Sequence, residues 1–345
     1  MGRSGPKTPF LKFDGHLMRQ LPTIFLAVSA CALPGPELAL DQLADVPLPG
    51  RATRFDYQAI DSERGHLVIA HMDDASVLVV RLDDGSLVRE LTGVPTARGV
   101  VVAPEVERIF VTALPNQVVI IDRTSLTEVG RVTTGSAPDG IGWDPDHHVV
   151  GVSDQGDGAL SLIADAGDGM RTQVPLGEET GNVVYDDARL WFWITVVAAS
   201  GPDRLVAVDP VDATVAAGFD LPKCRGAHGL RLHPDGSSAF VACEGNDRLV
   251  RVDLDSGETS TGRTGEGPDV MAIDPELGWL YVAAESGELV VFDLDQPDVA
   301  VVGHASPGDH AHSVAVDPAT HRLFFPLQSG PAGSPVLRIM RPAET

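Results

Sequence analysis

The chain has 345 residues, 43% of them hydrophobic, which is enough for a large buried core, and no apolar run approaches the 18 residues of a membrane-spanning helix. The formal net charge is −24, with only 25 lysines and arginines. An acidic surface of this kind repels phosphate backbones, so the composition argues against nucleic-acid binding.

Residues 1–31 have the pattern of an export signal. Basic residues, among them Lys12 and Arg19, precede "LPTIFLAVSA" (21–30), an apolar run of the length found in signal-peptide cores. "VSAC" resembles a lipobox that would lipidate Cys31, whereas "ACA" around the same cysteine suits ordinary cleavage. We therefore expect an exported protein that is periplasmic, a cell-surface lipoprotein or secreted. Any attachment to the membrane would be through a lipid on Cys31.

A phrase of alternating apolar residues recurs seven times at intervals of 41 to 46 residues. Alternation with a period of two predicts β-strands, and this repeat length is that of a four-stranded propeller blade. Each copy opens on a polar residue and continues through a turn into a second and a third strand. The copies begin as "DYQAID" (56), "RGVVVAP" (98), "DGIGWDP" (139), "NVVYDD" (182), "HGLRLHP" (228), "DVMAIDP" (269) and "HSVAVDP" (312).

The two ends of the repeat array complement each other. The seventh copy stops after its third strand, "PVLRIM" (335–340), while "LADVPLPG" (43–50) resembles a fourth strand without a blade. Pairing the two would close the ring and remove the exposed strand edges. The sequence thus predicts one all-β domain over residues 40–342, a seven-bladed β-propeller of four-stranded antiparallel blades. An N-terminal strand completes its last blade.

Side-chain alternation also places an aromatic cluster. Trp191 and Trp193 should lie on one face of their strand and Phe192 on the other, each packed between blades.

Two cysteines fall within one repeat. Cys224 precedes its first strand and Cys243 ends its second, so we expect them to face each other across the antiparallel pair. A disulfide is predicted in an oxidising compartment. Two buried thiols are the alternative, and a zinc pair is disfavoured because no CxxC accompanies them.

The polar residues that open the seven copies define the candidate site. In a propeller the first strand of each blade lines the central channel, so these residues should form a ring of ligand-binding side chains at its mouth. The ends of the second strands add His71, Asp154, Glu244, Glu285 and Gln328 to the same face. The ring consists of Asp56, Arg98, Asp139, Asn182, His228, Asp269 and His312.

Two metal sites can be drawn within this ring. His228, Asp269 and His312 come from consecutive blades, and two imidazoles with a carboxylate suit a divalent metal ion such as zinc, iron, manganese or copper. Asp139, Asn182 and Asp269 offer oxygen ligands for calcium or magnesium instead.

Two further interpretations need no metal. Arg98 can bind the carboxylate or phosphate of a small molecule while the histidines transfer protons near neutral pH. Alternatively, the ring side chains merely hydrogen-bond the neighbouring blade or hold channel water.

Several phrases resemble the YncE-like seven-bladed propeller proteins of bacteria. They are "RFDYQAID" (54–61), "CRGAHGLRLHPDGSSAFVACEGNDRLVRVDL" (224–254) and "HSVAVDPATHRLFFPL" (312–327). The resemblance implies an exported propeller whose biochemical role is mostly unassigned. Single-stranded DNA binding, linked to some relatives, is not expected of a chain that lacks a basic, aromatic-rich surface.

Together these features predict a monomeric binding or scaffold protein that holds a small molecule, a metal ion or a protein partner at the channel mouth. The alternative is a metal-assisted hydrolase or lyase, similar to the lactonase propellers, that acts at the same place.

Overall fold

The computed structural model describes residues 33–164, 171–296 and 298–343. Within these ranges the strands form seven sheets, and each sheet contains four strands in antiparallel pairing. The first strand of each sheet contacts the first strand of the next sheet, and the seventh contacts the first. The chain is therefore a closed seven-bladed β-propeller, and the predicted fold is confirmed.

Six blades are continuous in sequence, and their strands run from the channel to the rim. Blades 1 and 2 contain β2 (Gln58–Asp61), β3 (His66–His71), β4 (Ser76–Arg81), β5 (Leu87–Thr92), β6 (Val100–Ala103), β7 (Arg108–Ala113), β8 (Gln117–Asp122) and β9 (Thr127–Thr133). Blades 3 and 4 contain β10 (Pro138–Asp144), β11 (Val149–Asp154), β12 (Ala159–Ala164), β13 (Arg171–Pro175), β14 (Glu179–Asp186), β15 (Trp191–Val197), β16 (Asp203–Asp209) and β17 (Thr214–Leu221). Blades 5 and 6 contain β18 (Ala227–Leu232), β19 (Ser238–Cys243), β20 (Arg248–Asp253), β21 (Thr259–Arg263), β22 (Pro268–Asp274), β23 (Trp279–Ala284), β24 (Leu289–Asp293) and β25 (Val301–Ala305).

Blade 7 joins the two ends of the described chain. It contains β26 (Ala315–Asp317), β27 (Arg322–Leu327), β28 (Val336–Pro342) and, as its outer strand, β1 (Leu40–Pro47). The predicted closing strand thus exists but begins three residues earlier than expected. It ends before Pro49, which has no N–H for a ladder, and before Gly50, which turns at φ +95°.

The hydrophobic core is divided into layers between the blades. Seven clusters of buried apolar side chains occur among the described residues, one at each interface between neighbouring blades. Strand alternation builds them, since Trp191 and Trp193 pack toward blade 5 and Phe192 packs toward blade 3. The prediction for this aromatic cluster is confirmed.

The disulfide between Cys224 and Cys243 is present, with Cα atoms 5.3 Å apart. The register partner of Cys243 is Ala227 rather than Cys224. Cys224 reaches it from the loop before β18, so the bond fastens that loop to the end of β19.

Glycines let the first strands approach each other near the axis. A methyl group on Gly99 would overlap the carbonyl oxygen of Asp139, and one on Gly229 would overlap that of Asp269. A side chain at these positions would push neighbouring blades apart.

The predicted signal at 1–31, with Cys31, lies outside the described residues. Within the described ranges there is no helix with the length and hydrophobicity that a membrane span requires.

Candidate functional site

Local irregularities in the first strands aim the predicted ring residues into the channel mouth. In blades 3, 5 and 6 the ladder shifts register at Asp139, His228 and Asp269, where two residues of the first strand oppose one of the second. Such a bulge redirects a side chain out of the regular pleat. In blades 1, 2 and 7 the ring residue precedes the first strand instead. Asp56 and Arg98 lie two residues before it, and His312 lies three residues before it.

Asn182 departs from this pattern. The bulge of blade 4 spans Thr180 to Val183, so Gly181 occupies the position that the aspartates and His228 hold elsewhere. Asn182 instead matches Gly99 and Gly140, because the backbone N–H of each donates to a hydroxyl of the second strand. The Oδ1 atom of Asn182 accepts from the N–H of Val183 at 2.8 Å.

A cavity of about 280 Å³ opens at this mouth. Five carboxylates and two guanidinium groups contribute to its wall, together with the apolar side chains of Met72 and Val197. Its lining residues are Arg54, Asp56, Met72, Arg98, Asp139, Gln155, Glu179, Val197, Gly226, His228, Glu244 and Asp269.

His228 stands between two aspartates at distances too long for hydrogen bonds. Its Nε2 atom lies 3.6 Å from Oδ2 of Asp139 and 3.7 Å from Oδ1 of Asp269. Burial acts to lower the pKa of His228, but the charges of Asp139, Asp269 and Glu244 outweigh it and raise the pKa to about 9. This part of the mouth therefore has a strongly negative potential.

The other side of Asp269 is compensated by cationic groups. Its Oδ2 atom accepts from Nδ1 of His312 at 2.9 Å and from Nη2 of Arg54 at 3.3 Å. Arg54 also donates through Nη1 to Glu285 at 2.5 Å. Burial acts to raise the pKa of Asp269, but the hydrogen bond from His312 and the nearby positive charges outweigh it and lower the pKa.

Ligand atoms converge in two groups that share Asp269. His228, Glu244 and Asp269 form one group, and Asp269, Glu285 and His312 form the other, with the donor atoms of each group within 4.8 Å of one another. The predicted set of two histidines and Asp269 is thus divided, one histidine on each side of the aspartate. Its role in binding a metal stays a prediction.

Asp56 also lines the mouth and is 5% exposed. Burial and the negative charges of Asp269 and Asp139 raise its pKa to about 7. A carboxyl group in this position exchanges its proton close to neutral pH.

The ends of the second strands contribute only in part. Glu244 and Glu285 join the two ligand groups. His71 instead stacks on Phe55 with ring centroids 4.0 Å apart, and Asp154 accepts from the hydroxyl of Ser161 at 2.5 Å.

Arg54, Gln155 and Glu179 are lining residues that the sequence analysis missed. Arg54 and Gln155 lie in loops outside the aligned first strands, and Glu179 precedes the bulge of blade 4, so no repeat position marks them.

Hydroxyl groups make side-chain hydrogen bonds between neighbouring blades beside the ring. Thr112 donates to the carbonyl oxygen of Asp139, Thr195 to that of His228 and Ser313 to that of Asp56, at 2.8, 2.8 and 2.6 Å. The backbones of Asp139, His228 and Asp56 are thus held by the neighbouring blades, and the side chains of these three residues line the mouth.

No protein-family model and no curated protein matches the sequence. Among solved structures, a chain of hydrazine synthase from Kuenenia stuttgartiensis is similar, with a TM-score of 0.71 and 15% identity. The match covers 79% of this chain and 92% of that one. The two share a fold. Identity this low shows nothing further, and the resemblance to YncE-like proteins stays a prediction.

Proposed function

We propose that the protein is an exported binding protein whose channel mouth holds one divalent transition-metal ion on His228, Glu244 and Asp269. The observation that carries this proposal is the convergence of their donor atoms within 4.8 Å in a negative cavity. One imidazole with two carboxylates is a donor set suited to zinc, iron or manganese.

The spacing supports a metal ion better than a direct ion pair. Ligands about 2.1 Å from a tetrahedral ion lie about 3.4 Å from each other. The distance of 3.7 Å from His228 Nε2 to Oδ1 of Asp269 is close to that value. Among the described residues, Glu244 forms no ion pair, so its charge is available to a cation.

Export is supported by the disulfide between Cys224 and Cys243, because such bonds persist in oxidising compartments. This agrees with the signal predicted at 1–31.

Zinc titration calorimetry on protein without a polyhistidine tag tests the metal site. We expect one ion per chain and a loss of affinity of at least about 100-fold in His228→Ala and in Glu244→Gln. Glu258→Gln makes the same change of charge at an exposed turn and serves as the control. Absence of binding in the wild type, or an equal loss in the control, would refute the proposal.

The second ligand group already holds a cation, the guanidinium of Arg54. Removing it in Arg54→Met leaves Asp269, Glu285 and His312 without this partner. We expect the zinc stoichiometry to rise from one to two in this variant. An unchanged stoichiometry would show that Arg54 does not stand in for a metal ion.

A metal-assisted hydrolase or lyase is the second candidate. Three protein ligands beside an open cavity leave coordination positions for water and substrate, as in catalytic zinc sites. Metal-loaded protein should then hydrolyse simple lactones or esters, and His228→Ala should not. No turnover of such compounds by the metal-loaded wild type leaves the binding protein as the proposed function.

A further inference from the structure

We propose that the metal-loaded mouth binds a small organic carboxylate, with one oxygen on the metal and the other on the guanidinium of Arg98. This inference rests on the proposed metal site and names the class of molecule that completes it.

Arg98 has donors that meet no acceptor in the described part of the chain. Its Nη1 atom donates to Oε1 of Gln155 at 3.1 Å and lies 3.6 Å from Oδ1 of Asp139, beyond hydrogen-bond distance. Its Nε atom is buried and has no acceptor among the described residues. The side chain is only 19% exposed, so a guanidinium with some donors unmatched is costly here unless a ligand supplies oxygens.

Asp139 lies between Arg98 and His228 and shows that one carboxylate spans the distance between them. One of its oxygens faces Arg98 and the other faces His228, each at 3.6 Å. A metal ion beside His228 and the Arg98 guanidinium therefore lie on two sides of one carboxylate group. A ligand carboxylate has the same width, and from the cavity, beside Asp139, it reaches both through a metal–oxygen bond of about 2.1 Å and a charged hydrogen bond of about 2.8 Å.

Charge makes this binding depend on the metal. Without an ion, carboxylates such as Asp139, Glu179 and Glu244 repel an anion from the cavity. A divalent ion reverses the local potential, and by linkage the anion then strengthens metal binding by the same factor.

The cavity also limits the size of the ligand. Its volume of about 280 Å³ is below the usual range for drug-sized ligands. Met72 and Val197 form the apolar part of its wall, so the body attached to the carboxylate should be short and apolar.

Zinc affinity measured with and without acetate tests the inference, with acetamide as the neutral compound of the same shape. We expect saturating acetate to raise the affinity of the wild type about tenfold, after correction for acetate bound to free zinc. Acetamide should have no effect. The acetate effect should disappear in Arg98→Met and persist in part in Arg98→Lys, which keeps the charge but not the planar fork.

The zinc affinity of each variant without acetate gives its own baseline, which separates the two proposals. Zinc binding that acetate does not strengthen, or strengthens equally in Arg98→Met, would overturn the carboxylate site and leave the metal site intact. Failure of zinc to bind at all would overturn both.

Discussion

The ion pair between Asp45 and Arg338 should be a main contributor to the closure of the ring. Arg338 on β28 donates from Nε and Nη2 to the two carboxylate oxygens of Asp45 on β1, at 2.8 and 2.7 Å. Both side chains are less than one fifth exposed. Hydrogen bonds to charged groups contribute about 1.5–3 kcal/mol. Because Asp45→Asn keeps one acceptor oxygen and the pair is partly screened, we expect a loss of about 2 kcal/mol in the free energy of unfolding at pH 7.

This loss should depend on pH in a defined direction. The hydrogen bond from Arg338 lowers the pKa of Asp45 in the folded protein. The carboxylate therefore contributes its full stabilisation above the unfolded pKa of about 3.9. The contribution disappears as the pH falls through the lower folded value. Urea unfolding followed by tryptophan fluorescence at pH 7, 5 and 3 should show the difference between wild type and Asp45→Asn shrinking only at the lowest pH.

The same pair of strands offers a matched control. Asp41 on β1 and Arg341 on β28 are 3.9 Å apart, and their side chains are 52% and 42% exposed. Surface pairs of this kind contribute little, so Asp41→Asn should cost less than about 0.5 kcal/mol. Equal losses in the two variants, or a loss in Asp45→Asn that persists unchanged at pH 3, would refute the assignment of ring closure to this ion pair.

Three further perturbations probe the scaffold of the mouth. Replacing Cys224 and Cys243, which are 19 residues apart, by serine should lower the free energy of unfolding by about 3 kcal/mol, and an unchanged urea midpoint would contradict this. Gly229→Ala should cost about 1–3 kcal/mol and weaken zinc binding, because its methyl group displaces Asp269. Gly130→Ala, whose nearest neighbour is Ile120 at 3.8 Å, is the control for both measurements. Thr195→Val should cost about 1–3 kcal/mol in urea unfolding because it leaves the N–H of Asn182 and the carbonyl of His228 unsatisfied. The exposed Thr214→Val should have almost no effect.

The fold could be predicted because the same alternating strand pattern recurs in every blade. A strand that alternates apolar and polar residues must bury one face. The repeat of 41 to 46 residues gives the length of one blade, and seven copies give the number of blades. The sequence pattern does not mark the two ends of the closing strand. "LADVPLPG" is apolar on both sides of Pro47, so only the observed pairing with β28 decides where the strand stops.

The sequence predicts Asn182 for the ring position of blade 4 because it lies five residues before Asp187, as Asp139 lies five residues before the turn residue Asp144. Blade 4 has two consecutive aspartates, Asp186 and Asp187. In the structure Asp186 accepts from the N–H groups of Ala188 and Arg189, as the turn aspartates of other blades do. The repeat is therefore counted from Asp186, and Gly181 takes the ring position. Sequence alone does not distinguish two adjacent residues that can each cap a turn.

The charges of the mouth argue against a purely structural ring. In a channel that needs only stability, buried carboxylates are expected to be paired, as Asp269 is with His312 and Arg54. On the other side, His228 lies 3.6 Å or more from its aspartates, and Glu244 has a pKa raised by burial and by Asp269 and Glu285 despite the opposing effect of His228. Hydroxyls that bond to neighbouring blades, such as those of Thr112 and Thr195, already hold the backbone there. A cation bound beside Glu244 would offset the burial and the repulsion from Asp269 and Glu285 that raise its pKa, and this gives a physical reason for a carboxylate without an ion pair at the channel mouth.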